Sequence, residues 1–396
     1  MSRLFRPTVL GCLVLFAFPA LAAEEPPALK ALLDNTERNT GVRPTYSDIV
    51  VDADGTVRIK GLGMVIKAGP TEAQMGMTED LKYEIEQLEL SGTRERAPGK
   101  YEIAKAKWTG MTMTISSVFA VAMPVIEGST IYINRLPDQP TDLDRLLSAN
   151  MWGKEFTVPE GLILVGGKSI PMGRIRSTWD GNPDTGAGIT HIEVSPIRIP
   201  GEVFAAADGS NMLSEVGYQS LEVGMVAQGL TTQDGTKTGF DFQIKLSGKD
   251  VGALTIDMAA DGLPASLLMA ASSPDPKLET LAKDAEGISF RRVKIRFEDA
   301  SVTTRLLAMA AKMQGKDIDS LINEMTAAVQ VSLAQLGSPG IANESLAALG
   351  TFLKNPRSIT LMLAPPEPVQ GSQIMQAMQD PAALIRLLAL KVTAND

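Results

Sequence analysis

Apolar and polar side chains alternate one by one through much of residues 50–297, and beyond residue 298 the apolar ones recur every three or four positions, so strands are expected to give way to helices. Residues 50–60 predict two strands joined at Asp54-Gly55, where glycine accepts the positive φ of a tight hairpin. Four more Asp-Gly steps, Asp180-Gly181, Asp208-Gly209, Asp234-Gly235 and Asp261-Gly262, predict the turns of a meander. Tyr83-Glu84-Ile85 leads to Ser91-Gly92, and 18 residues later Tyr101-Glu102-Ile103 leads to Thr109-Gly110. Each copy predicts a strand that stops at its glycine, with residues 93–99 as the hairpin loop. A fainter copy ends at Ser247-Gly248, with residues 253–258 as its partner strand. This is a strand-and-turn habit rather than a repeat array. The apolar stretch 111–126 is too short to cross a bilayer and is expected to be a buried strand or helix. Further strands are expected at residues 161–165, 173–179, 189–199, 218–228 and 288–297.

Helical spacing appears first after Pro26-Pro27, where Leu29, Leu32 and Leu33 share a face and the helix ends between Asn35 and Gly41. Residues 141–147 predict a short capped helix. Past Glu298, Asp299 is placed to cap a helix with Val302, Leu306, Met309, Ala310 and Met313 on one side, ended by Gly315. Asp317 caps a longer one carrying Ile318, Leu321, Ile322, Met325, Val329, Leu333 and Leu336 up to Gly337. A third begins at Asn343, carries Leu346, Leu349 and Leu353, and stops before Pro356. Residues 358–363 return to a strand, Pro365-Pro366-Glu367-Pro368 is a stiff link, and Asp380-Pro381 starts a last helix with Leu384, Leu387 and Leu388. One-sided helices need a cover. The expected class is therefore α+β: a curved, mostly antiparallel meander over residues 23–298, with a mainly helical region, 299–396, packed on it.

The first 22 residues have another character. Met1-Ser2-Arg3-Leu4-Phe5-Arg6 is short and basic, an apolar run follows from Val9 to Leu21, and Ala20-Leu21-Ala22 supplies small residues for cleavage: a secretory signal, residues 1–22. Val9-Leu10-Gly11-Cys12 resembles a lipobox, but the apolar run continues past it to Phe18. As an uncleaved anchor the run falls short of the ~20 residues a spanning helix needs. An exported, periplasmic protein without a permanent transmembrane anchor is expected.

Composition narrows the function classes. Hydrophobic residues make up 44% of the chain but aromatics only 5%, and 19 methionines favour adaptable packing over large aromatic anchors. Net charge is −9, and loss of Arg3 and Arg6 with the leader takes it to −11, which disfavours nucleic acid and anionic headgroups as partners. Cys12 is the sole cysteine and His191 the sole histidine, so the usual ligands of zinc, copper, haem and iron–sulfur centres are missing.

Each candidate site meets a plainer reading. Gly166-Gly167-Lys168-Ser169 has the end of a phosphate loop, but Leu162 stands where its first glycine belongs, so a turn is expected. Asp52-Ala53-Asp54-Gly55 could open a calcium loop, yet Gly63 occupies the place of the bidentate Glu. His191 lacks a Gly-x-Ser-x-Gly nucleophile, and it alternates along a strand with its neighbours. Glu84, Glu86 and Glu89, or Asp317 and Asp319, could pair for glycoside chemistry, but nothing singles out one pair. Of Trp108, Trp152 and Trp179, Trp108 sits on a patterned strand and is expected in the core. No catalytic, cofactor-binding or metal-binding residue is assigned.

The layout resembles exported envelope proteins of the AsmA-like and YdgA-like kind. The resemblance rests on the leader, on strands such as Tyr83-Glu84-Ile85-Glu86-Gln87-Leu88-Glu89-Leu90-Ser91-Gly92, and on Phe297-Glu298-Asp299-Ala300-Ser301 followed by helices; the missing permanent anchor departs from it. It implies a periplasmic protein with a curved sheet that handles acyl chains or supports envelope assembly. The expected function is non-enzymatic binding of a lipid or other hydrophobic ligand, or of an envelope protein partner. A periplasmic carboxylate-based hydrolase is the alternative.

Overall fold

The computed structural model describes residues 24–67, 80–116, 119–149, 151–203, 212–267, 286–334 and 338–396. The expected leader, the Asp208-Gly209 turn and the helix end at Gly337 lie outside them. Helix α1 (Pro27–Thr40) precedes strands β1 (Asp48–Val51), β2 (Val57–Ile66), β3 (Leu81–Ala97), β4 (Lys100–Ser116) and β5 (Phe119–Asn134). Helix α2 (Asp142–Ala149) leads to β6 (Trp152–Val158), β7 (Gly161–Val165), β8 (Lys168–Met172), β9 (Ile175–Gly181) and β10 (Gly188–Pro200). After α3 (Met212–Glu215) come β11 (Ser220–Asp234), β12 (Lys237–Gly248), β13 (Gly252–Pro264) and β14 (Ser289–Asp299). The remainder is α4 (Val302–Gln314), α5 (Ile318–Ala334), α6 (Pro339–Lys354), β15 (Ser358–Leu363), β16 (Val369–Gln370), α7 (Gly371–Ala377), α8 (Pro381–Leu387) and β17 (Leu390–Ala394).

These 17 strands form one sheet in which the strand pairs are antiparallel. Strands β1 to β5 pair in chain order. β6 and β7 lie end to end along β5, and β8 and β9 continue them outward by pairing with β7 and β6. From β9 the order runs through β10, β11, β12, β13 and β14 to β15 and β17, with β16 completing the side of β14. The α+β class and the antiparallel meander thus match the sequence pattern.

Several boundaries differ from the sequence expectation. Asp54-Gly55 and Asp234-Gly235 do make turns, with φ of 81° and 57° at the glycines. Asp180-Gly181 and Asp261-Gly262 instead lie within β9 and β13. β3 runs straight through Ser91-Gly92, and β4 through Thr109-Gly110, so the loop between them shrinks to Pro98-Gly99. Residues 111–126 are the end of β4 and the start of β5, paired from Met111–Met123 outward, and not one buried element. Helix α6 begins at Pro339 rather than Asn343, and β17 was not signalled by any turn chemistry.

Gly92 and Gly110 mark something other than strand ends. The register that pairs Ile85 with Met111 and Gln87 with Thr109 leaves Glu86 opposite Gly110, and the next strands place Gly61 and Pro124 on the same line. Crossing this line, core-facing positions switch parity: Ile85 and Leu88 on β3, Met111 and Trp108 on β4, Met123 and Ile126 on β5. Gly61 and Gly110 have φ of 60° and 64°, a conformation that strains any residue with a Cβ. A second line joins Gly92, Ala104 and Thr130, with φ of 64° at Gly92 and 48° at Thr130. These glycines let two successive residues point outward without breaking the ladder.

Helix α1 buries Ala28, Leu29, Ala31 and Leu33 against Val57, Ile59, Leu88, Leu90, Ile103, Trp108 and Ile131. Leu29 and Ile59 have no exposed surface. Asn35 ties the helix to the end of β5: its amide donates to the Asn134 carbonyl at 2.8 Å and its carbonyl accepts from the Leu136 N–H at 3.1 Å. Gly41, with φ of 74°, ends the helix and donates to the Glu37 carbonyl.

At the other end, Arg296 of β14 donates to the Asp396 carboxylate at 2.7 Å, and Thr393 donates to its second oxygen at 2.8 Å. The hydroxyl of Thr393, and then the guanidinium of Arg296, hold the Asp396 carboxyl down to about 2. A depressed carboxylate contributes stability fully above its unfolded value and loses it as pH falls through the folded one. Asp396→Asn is therefore expected to destabilise by only about 0.5–1 kcal/mol near neutrality, because the pair is half exposed. The gap between the two proteins in thermal unfolding should narrow as pH falls from 4 towards 2 and close below 2; a gap that does not narrow over that range would contradict the assignment.

Candidate functional site

Side chains directly opposite one another in a sheet share a face, so the registers can be followed across the whole sheet. One row runs Val57, Leu90, Ala106, Gly128, Phe156, Ser177, Ile192, Ala227, Ile244, Ile256, Ile295, Leu361 and Val392. Two positions along each strand lies a second: Ile59, Leu88, Trp108, Ile126, Val158, Ile175, Val194, Met225, Leu246, Leu254, Phe297, Ile359 and Ala394. Val158 joins it because Glu127 pairs with Thr157 one step away. Both rows cross thirteen strands, and Ser177 is their one polar member. A third row, Phe242, Met258, Val293, Leu363 and Leu390, extends the apolar face over the later strands.

The opposite face is a different surface. There the same strands present His191, Gln228, Gln243, Asp257 and Lys294, and beside them Lys245, Thr255, Arg296, Thr360 and Thr393. Arg292 bridges two strands by donating to Asp241 at 2.6 Å and Asp257 at 2.7 Å, which raises the pKa of its guanidinium, Asp257 first. Charge pairs of this kind suit a solvated face.

Helices reach the apolar face at its two ends. α1 lies over β2–β5, in contact with Val57, Ile59, Leu88, Leu90 and Trp108. At the far side Leu307, Ala311, Leu321, Ile322, Phe352 and Leu353 cluster with Phe297, Ile359 and Ala394, and α6 runs against β17 and β15. Among the described residues, no helix packs extensively on β9–β13. There most apolar side chains are half-buried, and Leu246 of β12 is 38% exposed, as are Ile295 and Leu361 on the adjoining β14 and β15.

Two cavities lie along the sheet, the first beside the α1 cover and the second at the border of the uncovered strands. One of about 350 Å³ lies beside α1 and is walled by Leu33, Leu62, Met64, Ile85, Trp108, Met111 and Phe156. The other, about 500 Å³, lies between α2 and the β11–β12 end, walled by Leu147, Trp152, Phe240 and Phe242, with Thr231 and Thr238 as polar neighbours. Trp152 also meets Trp179, with ring centroids 5.1 Å apart and the planes tilted by 44°.

The residues weighed for chemistry are scattered. Gly166 and Gly167 form the β7–β8 turn with φ of 55° and 78°. Asp52 pairs with Arg58, and Asp54 accepts from the Thr56 N–H at 2.9 Å, an ordinary hairpin arrangement. His191 sits on the polar face of β10 opposite Gln228 and Thr178. Glu89 accepts from Arg58 at 2.9 Å, Glu84 pairs with Lys82, and Glu86 lies against Gly110. Asp317 accepts from the backbone and hydroxyl of Ser320 at the start of α5, which lowers its pKa. Trp108 is 6% exposed, in the core. Among the described residues no cluster of histidine, cysteine or carboxylates could hold a metal ion. Sequence reasoning missed the apolar rows, because they become visible only once the registers are known.

A family model described as an uncharacterized protein matches residues 245–395, which here run from within β12 to the end of β17 and so include α4–α6 and the last part of the floor. No curated protein matches the chain.

Proposed function

We propose that the protein is a non-enzymatic, periplasmic envelope protein that binds an amphiphile, with the acyl chain lying across the apolar face of a curved sheet between α1 and the C-terminal helices packed at its other end. The carrying observation is the pair of apolar rows that continue under both helical covers and lie bare between them. From β9 to β14 are five inter-strand steps, about 24 Å at ~4.8 Å each. One leaflet contributes about half of the ~30 Å hydrocarbon thickness, so a single lipid chain fits with room for part of its headgroup. A wide, preformed apolar surface with few polar groups favours a hydrophobic ligand over a polar one.

An export signal, the acidic surface and the likeness to AsmA-like and YdgA-like envelope proteins are in keeping with this reading. The carboxylates considered for hydrolysis are dispersed, with Glu84 and Glu89 paired with Lys82 and Arg58 and Asp317 held by Ser320 at a helix start, which weighs against a hydrolase. Protein purified from periplasm should carry a co-purifying amphiphile in native mass spectrometry, recovered by solvent extraction. Delipidated protein should bind a fluorescent fatty acid at micromolar concentration. A protein of bare sequence mass that binds no fatty acid would end the ligand reading.

A further inference from the structure

The cavity between α2 and the β11–β12 end differs in chemistry from the floor it adjoins. Along the floor-facing side of these two strands the directly opposed pairs run Ala227 with Ile244, Gly229 with Phe242, Thr231 with Phe240 and Gln233 with Thr238. Apolar side chains thus give way to hydroxyls and an amide as the hairpin turn is approached. The Thr238 hydroxyl donates to the Gln233 side-chain carbonyl at 2.9 Å, and the Gln233 amide donates to the Gly235 carbonyl at 2.9 Å, so both groups are held in place. The hydroxyl of Thr231 makes no hydrogen bond to the described residues. Across the cavity stands Trp152, half-buried, its indole N–H donating to the Leu147 carbonyl at 3.2 Å, which fixes the plane of the ring. On the strand side the rings of Phe240 and Phe242 have their centroids 5.3 Å apart. Aromatic residues are only 5% of the chain, so three of them around one cavity are a concentration. Among the described residues that wall it, none is charged.

We infer that this cavity holds the headgroup of the amphiphile, and that the headgroup is an uncharged sugar ring whose chain leaves past Phe242 onto the floor. The inference rests on the amphiphile reading above and narrows it to one ligand class. Phe242 belongs to the apolar row that continues through Met258 and Val293, so a chain leaving the cavity there meets apolar surface at once. A phosphate, carboxylate or ammonium group would lose its water in the cavity without meeting a counter-charge, a loss that hydrogen bonds from Thr231 and Gln233 do not offset. A wholly apolar group would cover the Thr231 hydroxyl and give it no partner. A sugar ring satisfies both conditions. Its C–H faces lie against flat aromatic walls, and the hydroxyls on its rim exchange hydrogen bonds with a threonine hydroxyl and a fixed amide. At about 500 Å³ the cavity falls within the ~300–1,000 Å³ of small-molecule sites.

The delipidated protein is titrated by calorimetry with dodecyl glucoside, laurate and free glucose, the two amphiphiles below their micelle concentrations. The glucoside should bind at least tenfold more tightly than laurate, which has an equally long chain and a charged head, and glucose alone should not bind. Thr231→Val keeps the shape of the side chain and suits a strand. It should weaken the glucoside at least threefold and leave laurate unchanged. Thr232→Val, one residue along and exposed on the opposite face, should alter neither. Trp152→Leu removes the flat wall and should weaken the glucoside at least tenfold. If laurate binds as tightly as the glucoside, or if Thr231→Val weakens both alike or neither, the headgroup site is refuted while laurate binding still upholds the amphiphile reading. Glucose that binds as tightly as the glucoside would make the cavity a site for free sugar and overturn the headgroup assignment. If neither amphiphile binds, the amphiphile reading fails and the headgroup site falls with it.

Discussion

Replacing Ile295 by glutamate is expected to abolish amphiphile binding while leaving the protein folded. Ile295 lies on β14 at the C-terminal border of the uncovered floor, opposite Ile256 and Leu361, and 38% of its surface reaches solvent. A carboxylate there keeps part of its hydration in the free protein. The expected loss of stability is therefore only the partial burial of one isoleucine, about 1–2 kcal/mol. An acyl chain crossing the floor would strip that hydration, and an unpaired carboxylate forced from water costs more than the chain gains by covering it. Fatty-acid affinity should fall at least tenfold, and the co-purifying amphiphile should vanish from the native mass spectrum. Val226→Glu provides the contrast, because Val226 is 42% exposed on β11 with its side chain on the polar face, opposite Lys245 and Glu193. It should leave binding unchanged. Equal losses in the two variants, or none in either, would show that the apolar face is not where the chain lies.

The strand-to-helix change near residue 298 was readable because periodicity is a local property, and it needs no knowledge of partners. So were α1, whose Leu29 and Leu33 are buried and whose end at Gly41 matches the left-handed cap, and β7 and β15, whose bounds follow from short apolar runs between turn residues. Helix α4 was placed but turned wrongly: Leu307 and Ala311 face the core, whereas Leu306 and Met313 are exposed. Its sequence is apolar on nearly every side, so spacing could not choose the face.

The site itself was not legible. Ile192, Ile244, Ile256 and Leu361 are each one apolar position among many, and their alignment depends on how separate hairpins register. Register is fixed by turns and by pairing partners far along the chain. Bulges shift it too, as between Val194 and Ile197 on β10, or on β14 where Arg291 is the extra residue opposite Ala259 and Ala260, and such an extra residue moves side chains between faces. The same blindness explains the misread glycines. An Asp-Gly or Ser-Gly pair looks alike whether the glycine closes a turn, as Gly235 does, or lets a strand pass a neighbour, as Gly92 does.

Gly92→Ala offers the sharpest check of that second role. Ala at φ 64° is strained by about 1–2 kcal/mol, and here the new Cβ would also stand 2.7 Å from the Cβ of Ala104. Separating two crowded backbones on adjacent central strands adds to the strain, so the expected destabilisation is about 2–4 kcal/mol. Gly55→Ala isolates the first part. Its φ is 81° in the β1–β2 turn, and nothing lies within 4 Å of the added Cβ, so it should lose only about 1–2 kcal/mol. Ala104→Gly in the Gly92→Ala background removes the opposing methyl and should recover part of the excess, giving a favourable coupling in a double-mutant cycle measured by urea unfolding. If Gly92→Ala and Gly55→Ala cost the same, or the cycle is additive, close approach across the line is not what selects glycine, and the switch of core-facing parity between Leu90 and Ile103 needs another cause.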